Sequence, residues 1–160
     1  MTIQHVVDVR TEIEWETEID LTLLRVTALA VLKQQGVELP NEVTIVLTGD
    51  DTLQALNQRF RGVDRPTDVL SFADDSRGPF DGGSVEHPRY LGDIIISLPQ
   101  AAKQATAATC GLLAELQLLI VHGMLHLLGY DHATPAAKAR MWKVQATLLE
   151  LLGTEVTLPA

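Results

Sequence analysis

V-H-G-M-L-H-L-L-G-Y-D-H, residues Val121 to His132, places three of the chain's five histidines within eleven positions and closes an apolar run that begins at Leu112. Leu112, Leu113, Leu116, Leu119 and Ile120 recur at helical spacing with no proline inside, so the run predicts a helix over Leu112–Leu128. At ~100° per residue, four residues advance the direction by ~400°, which leaves His122 and His126 about 40° apart on one helix face. Gly129 follows where a helix can end through a left-handed residue that only glycine adopts without a Cβ penalty. A turn there swings Asp131 and His132 back toward the pair. Three imidazole nitrogens with a fourth position open to water describe a catalytic zinc site rather than a closed structural one.

A histidine on an apolar helix is ordinarily a satisfied core residue, and an i, i+4 pair is weak evidence of a metal. The third histidine shifts the balance, because burying three neutral imidazoles without partners leaves polar nitrogens unsatisfied. A metal resolves that cost. Zinc comes first on geometry, although affinity ordering lets nickel or copper occupy such a site in vitro.

Outward from this stretch, the chain reads as its scaffold. Ile3–Val9 predicts a first strand with His5 on its surface, and Asp20 caps a helix from Leu21 to about Gln35, stopped by Gly36. Val43–Leu47 is a second strand; Asp50 or Asp51 caps a helix through about Phe60; Thr67–Ala73 is a third strand. Asp74–Tyr90, rich in acidic residues, glycine and proline, reads as a mobile surface loop with His87 solvated in it. Leu91–Ser97 is a fourth strand, Pro99 starts a helix to about Cys110, and Thr134 with Pro135 starts a last helix to about Leu152. The order β-α-β-α-β-β-α-α-α predicts an α+β fold with about four strands packed with helices around a zincin-like metal-site helix. No repeat or linker interrupts residues 1–160, so a single domain is expected.

The chain is 46% hydrophobic but has no continuously apolar stretch of about eighteen residues and no basic n-region at its start, so a soluble, cytoplasmic protein without a membrane partner is expected. Cys110, the single cysteine, fits a reducing compartment. A formal net charge of −9 argues against broad attraction to nucleic acid, and no DNA partner is expected. The basic residues are nevertheless gathered: Arg59, Arg61 and Arg65 fall within seven positions.

The histidine spacing coincides with the protease pattern H-E-x-x-H-x-x-G-x-x-H, but position 123 is glycine. In those enzymes the glutamate is the general base. Here its role must pass elsewhere, which disfavours a metallopeptidase. Asp131 is either a base or a hydrogen-bond acceptor supporting a ligand, or a turn residue closing the Gly129 corner.

Three segments in order, R-G-V-D-R-P-T-D-V-L-S-F from Arg61, L-G-D-I-I-I-S from Leu91 and the histidine stretch, resemble the YbeY family of metal-dependent endoribonucleases. The resemblance runs from about Val43 to Trp142, and glycine after the first histidine is that family's habit. It implies one zinc ion per chain on His122, His126 and His132, and catalytic roles for Arg61 and His122. Arg61 stands in the family's Tyr-Arg-Gly, preceded here by Phe60. Arg59, Arg61 and Arg65 would bind phosphates of a single-stranded RNA substrate. It further implies ribosomal RNA maturation, including processing of the small-subunit 3′ end, ribosome quality control and a ribosomal subunit as partner. The alternative is a ribosome-assembly or RNA-binding factor whose metal is mainly structural.

Overall fold

The structure, a computed structural model, describes residues 4–74 and 88–153. Its elements follow the expected order: β1 (Val6–Thr11), α1 (Leu21–Gln34), β2 (Asn41–Thr48), α2 (Asp50–Arg61), β3 (Val69–Ala73), β4 (Arg89–Ser97), α3 (Leu98–Ala107), α4 (Leu112–Leu127) and α5 (Pro135–Leu151). Most of the 74–90 stretch expected as a loop, His87 included, lies outside the described residues, while Arg89 and Tyr90 already belong to β4.

The four strands form one mixed sheet in the order β1-β2-β4-β3. β1, β2 and β4 run parallel, and β3 returns antiparallel beside β4 at one edge. The β-branched strands β2 and β4 occupy the centre, with Val43, Ile45, Leu47, Ile94 and Ile96 fully buried. Between Glu42 and Val43 the register shifts, because Glu42 pairs with Tyr90 and Val43 with Gly92. Gly92 has φ +149°, and a Cβ there would collide with the carbonyl oxygen of Phe72 on β3.

Ile94 points toward α4, where it meets the backbone of Gly123. Alternation sends Ser97 to the opposite face, where its hydroxyl donates to Asp50 of α2 at 2.7 Å. That contact corrects one expectation. Neither Asp50 nor Asp51 caps α2: the N-cap is Gly49 without a side-chain bond, and the Asp50 carboxylate accepts from Ser97 and from Gln100 Nε2. The other caps are as expected, with Asp20 accepting from Leu23 N and Thr134 from Ala137 N. α3 ends at Ala107, short of Cys110, whose N–H turns back to Ala105 O after Thr109 at φ +54°.

His5 lies just ahead of β1, not inside it, and its Nδ1 accepts the Asn41 N–H at 3.0 Å. Burial holds its pKa below the usual value, so the neutral ring pins the start of β2. No single helix among the described residues is long and apolar enough to cross a membrane; α3 and α4, apolar together, meet at a 113° bend.

Candidate metal centre and its groove

The C-terminal end of α4 is built as the histidine spacing requires. Leu128 closes the helix, Gly129 takes φ +100°, and two reversed bonds form, Gly129 N to His126 O at 3.0 Å and Tyr130 N to Leu125 O at 2.9 Å. This is the Schellman arrangement, and it turns the chain back over the helix. His132 returns with it, and its ring centroid lies 5.2 Å from that of His126 and 5.8 Å from that of His122. One nitrogen from each of the three rings lies within 4.8 Å of the others. Asp131 makes the turn contact expected at the Gly129 corner, its carboxylate accepting from Ala133 N at 3.1 Å.

Hydrogen bonds decide which nitrogens are available. His126 Nδ1 lies 3.0 Å from the carbonyl oxygen of Tyr130. A carbonyl can only accept, so Nδ1 carries the proton and Nε2 presents a lone pair. His122 Nδ1 lies 3.0 Å from Gln145 Oε1, and with the amide oxygen facing it the ring donates from Nδ1 and its Nε2 is unprotonated. The two Nε2 atoms face each other at 3.1 Å. In this tautomer pair two lone pairs meet at that distance, an arrangement that a cation between them relieves. Bonds of about 2.0–2.1 Å at a tetrahedral angle would separate two such nitrogens by roughly 3.3 Å, close to what is seen. The residues therefore fit a metal ion. Burial first, then the neighbouring histidines, lowers the His126 pKa to about 4, and burial lowers that of His122; both rings are neutral at pH 7, as ligands must be. Trp142 of α5 stands edge-on to His122 and His132, with centroids 5.8 and 5.7 Å away.

The triad opens into a groove of about 730 Å³ lined by α4, the edge strand β3 and α3. Arg61 reaches it from the last turn of α2, which stops at Gly62 with φ +69°. Sixty residues of sequence separate Arg61 from His122, and the fold brings them to one cavity. Arg59 and Arg65 do not line this groove. The Arg59 guanidinium lies over the Phe60 ring at 5.2 Å, and the Arg65 carbonyl accepts from Asn57 Nδ2 at 2.8 Å.

Three lining residues carried no sequence expectation. Asp68 is held by Gln104 Nε2 at 3.1 Å and by Val69 N at 2.7 Å. Glu115, seven residues before His122 and so on the same face of α4, is only 4% exposed. Burial, and then the charge of Asp68, raises its pKa. Its spacing from His122 was a legible signal. Gln145 is fully buried and comes from α5, where nothing local marks it.

Gly123 explains why no glutamate follows the first histidine. A Cβ at this position would lie 3.0 Å from both Ile94 Cγ2 and Ser71 Oγ. A side chain there would be driven against β3 and β4, which leaves room only for glycine without a shift.

The family description "Endoribonuclease YbeY" matches residues 6–153. A protein of that name from Chloroflexus aurantiacus is 46% identical over 135 residues, covering 84% of this chain and 88% of its own. Another, from Roseiflexus sp. strain RS-1, is 41% identical over 151 residues, or 94% of each chain. The solution structure of a Thermotoga maritima protein superposes with a TM-score of 0.59 at 25% identity, covering 92% of this chain and 89% of that one.

Proposed function

Because this chain belongs to the YbeY endoribonuclease family, we propose that it is a zinc-dependent endoribonuclease that cuts single-stranded RNA in the groove beside α4. The observation that carries the reading is the convergence of three histidine nitrogens within 4.8 Å on a cavity that Arg61 also lines. The reaction belongs to ribosomal RNA maturation, and we extend it to the small-subunit 3′ end and to ribosome quality control. A ribosomal subunit is then the partner and the cytoplasm the place of action.

His122, His126 and His132 would hold one zinc ion. When bound, such an ion supplies Lewis acidity toward water and toward a phosphoryl oxygen. The protein's own groups do the rest. Tyr130 O and Gln145 orient two of the three imidazoles. Arg61 offers a planar guanidinium, charged at any physiological pH, to the phosphate whose charge grows during cleavage. With a net charge of −9 the protein gains little from long-range attraction, so this local cation matters. The raised pKa of Glu115 favours its uncharged form, which reduces the repulsion that a phosphodiester meets in the groove. Asp68, fixed by Gln104 and by its neighbour's N–H, is the other groove carboxylate and the candidate proton acceptor. Arg59 and Arg65, outside the groove lining, would meet only flanking phosphates. A groove of this kind can track an unpaired backbone without reading a duplex.

The test is metal analysis of the purified protein beside cleavage of a single-stranded RNA with and without chelator. Cleavage that stops with chelator and returns with zinc supports the reading; metal-free protein that still cuts RNA sinks it. Product ends separate the nucleophiles, because a 2′,3′-cyclic phosphate requires attack by the RNA 2′-hydroxyl.

A further inference from the structure

We infer that Gln145 is the positioning residue of the metal centre, and that its carboxamide selects the tautomer of His122 in both the metal-free and the metal-loaded protein. The inference rests on the reading of the histidine triad as a metal site.

His126 has no choice of tautomer, because its Nδ1 must donate to Tyr130 O. His122 has a choice, and its Nδ1 meets only the end of the Gln145 amide, at 3.0 Å. Gln145 is 0% exposed, and its Nε2 finds no partner among the described residues. An amide is the one neutral side-chain group that offers an acceptor and a donor at interchangeable positions. Rotating it by half a turn exchanges Oε1 for Nε2 opposite His122 while the packing stays the same.

Each orientation completes a different set of bonds. With Oε1 toward His122, the ring donates from Nδ1, and Nε2 is free to bind a metal beside Nε2 of His126. With Nε2 toward His122, the amide donates to Nδ1. His122 then carries its proton on Nε2 and donates it across 3.1 Å to His126 Nε2, which already has a lone pair there. That second arrangement is an uncharged relay from Gln145 through His122 and His126 to Tyr130 O, and it removes the lone-pair repulsion when no ion is present. On loading, one proton leaves Nε2 of His122 and one is taken at Nδ1, so His122 releases no net proton.

A leucine or a glutamate at position 145 separates these roles. Gln145→Leu keeps the volume and removes both functions; Gln145→Glu keeps only the acceptor. Zinc competed against a chromogenic chelator should bind Gln145→Leu about 10–100-fold more weakly than wild type, the scale seen when a ligand's hydrogen-bond partner is lost. Gln145→Glu should recover most of that loss. Long-range proton–nitrogen spectra of histidine-labelled wild type should show His122 protonated on Nε2 without zinc and on Nδ1 with it, while His126 stays protonated on Nδ1. Equal zinc affinity in Gln145→Leu overturns the inference, as does one His122 tautomer in both states. Weaker binding by Gln145→Leu that Gln145→Glu does not recover also overturns it, by assigning Gln145 to packing. Failure of wild type to take up zinc is a separate result that removes the metal-site reading itself.

Discussion

His126 donates from Nδ1 to the carbonyl oxygen of Tyr130 at 3.0 Å, and that carbonyl is in place only because Gly129 turns the chain back at φ +100°. Helix end and ligand orientation are thus one feature. A side chain at 129 would strain the left-handed turn and disturb both Tyr130 O and the return of His132.

Metal removal should therefore destabilise the protein. At zinc a hundredfold above its dissociation constant, binding to the folded state alone adds ~2.7 kcal/mol. Thermal unfolding with and without chelator should show this as a rise of several degrees in wild type and no rise in His126→Ala. An equal rise in both proteins would place the zinc elsewhere.

Arg61→Ala should reduce RNA cleavage by roughly 100-fold or more, the scale for losing one group that stabilises transition-state charge. Its unfolding temperature should not change, because Arg61 is exposed and makes no hydrogen bond or ion pair among the described residues. Arg65→Ala, outside the groove lining, should lose less activity. Equal losses in the two variants would remove the special place given to Arg61.

Gly123→Ala tests the contact between α4 and the sheet. Its Cβ would press on Ile94 and Ser71 at 3.0 Å, and overpacking of this kind costs about 1–3 kcal/mol, offset in part by up to ~1 kcal/mol of helix propensity. Chemical denaturation should register a net loss. Gly123→Glu, a much larger intrusion at the same contact, should be destabilised further.

The pH dependence of the metal-free protein has two opposing parts. His126 resists protonation until about pH 4 because it is buried and lies beside two other histidines, whereas the unfolded chain takes up that proton near ~6.5. Its contribution is present above the unfolded value and is lost as pH falls toward 4. Glu115 has the opposite sign. Burial raises its pKa, so its contribution is full below the unfolded value and is lost as pH rises through the folded one. Glu115→Gln should accordingly stabilise the protein at neutral pH and leave it unchanged near pH 4. Destabilisation of that variant at pH 7 would show that the carboxyl group makes an interaction worth more than its burial costs.

The elements were legible because their signals are local. Leu112 to Ile120 carry a helical period, Asp20 and Thr134 cap within three residues, Pro99 marks the first turn of α3, and Gly129 closes α4. The error at Asp50 has the same root: an aspartate at a helix start is a cap by local rule, but Ser97 and Gln100, nearly fifty residues away, claimed the carboxylate. Asp68 lies in the Arg61–Phe72 segment with no local mark of function, and only the fold sets it on the groove with Glu115.

By itself, then, the chain's order of residues determined the elements seen among the described residues and the histidine triad, because capping, hydrophobic period, i, i+4 spacing and a glycine turn all act over a few residues. Tertiary structure alone decided that Arg61 lines the cavity the triad opens into while Arg59 and Arg65 do not, that position 123 is pressed against Ile94, and that Gln145 meets His122. Those facts depend on how α2, the sheet and α5 pack around α4. Packing joins residues whose separation along the chain carries no period, so no local pattern could have encoded it.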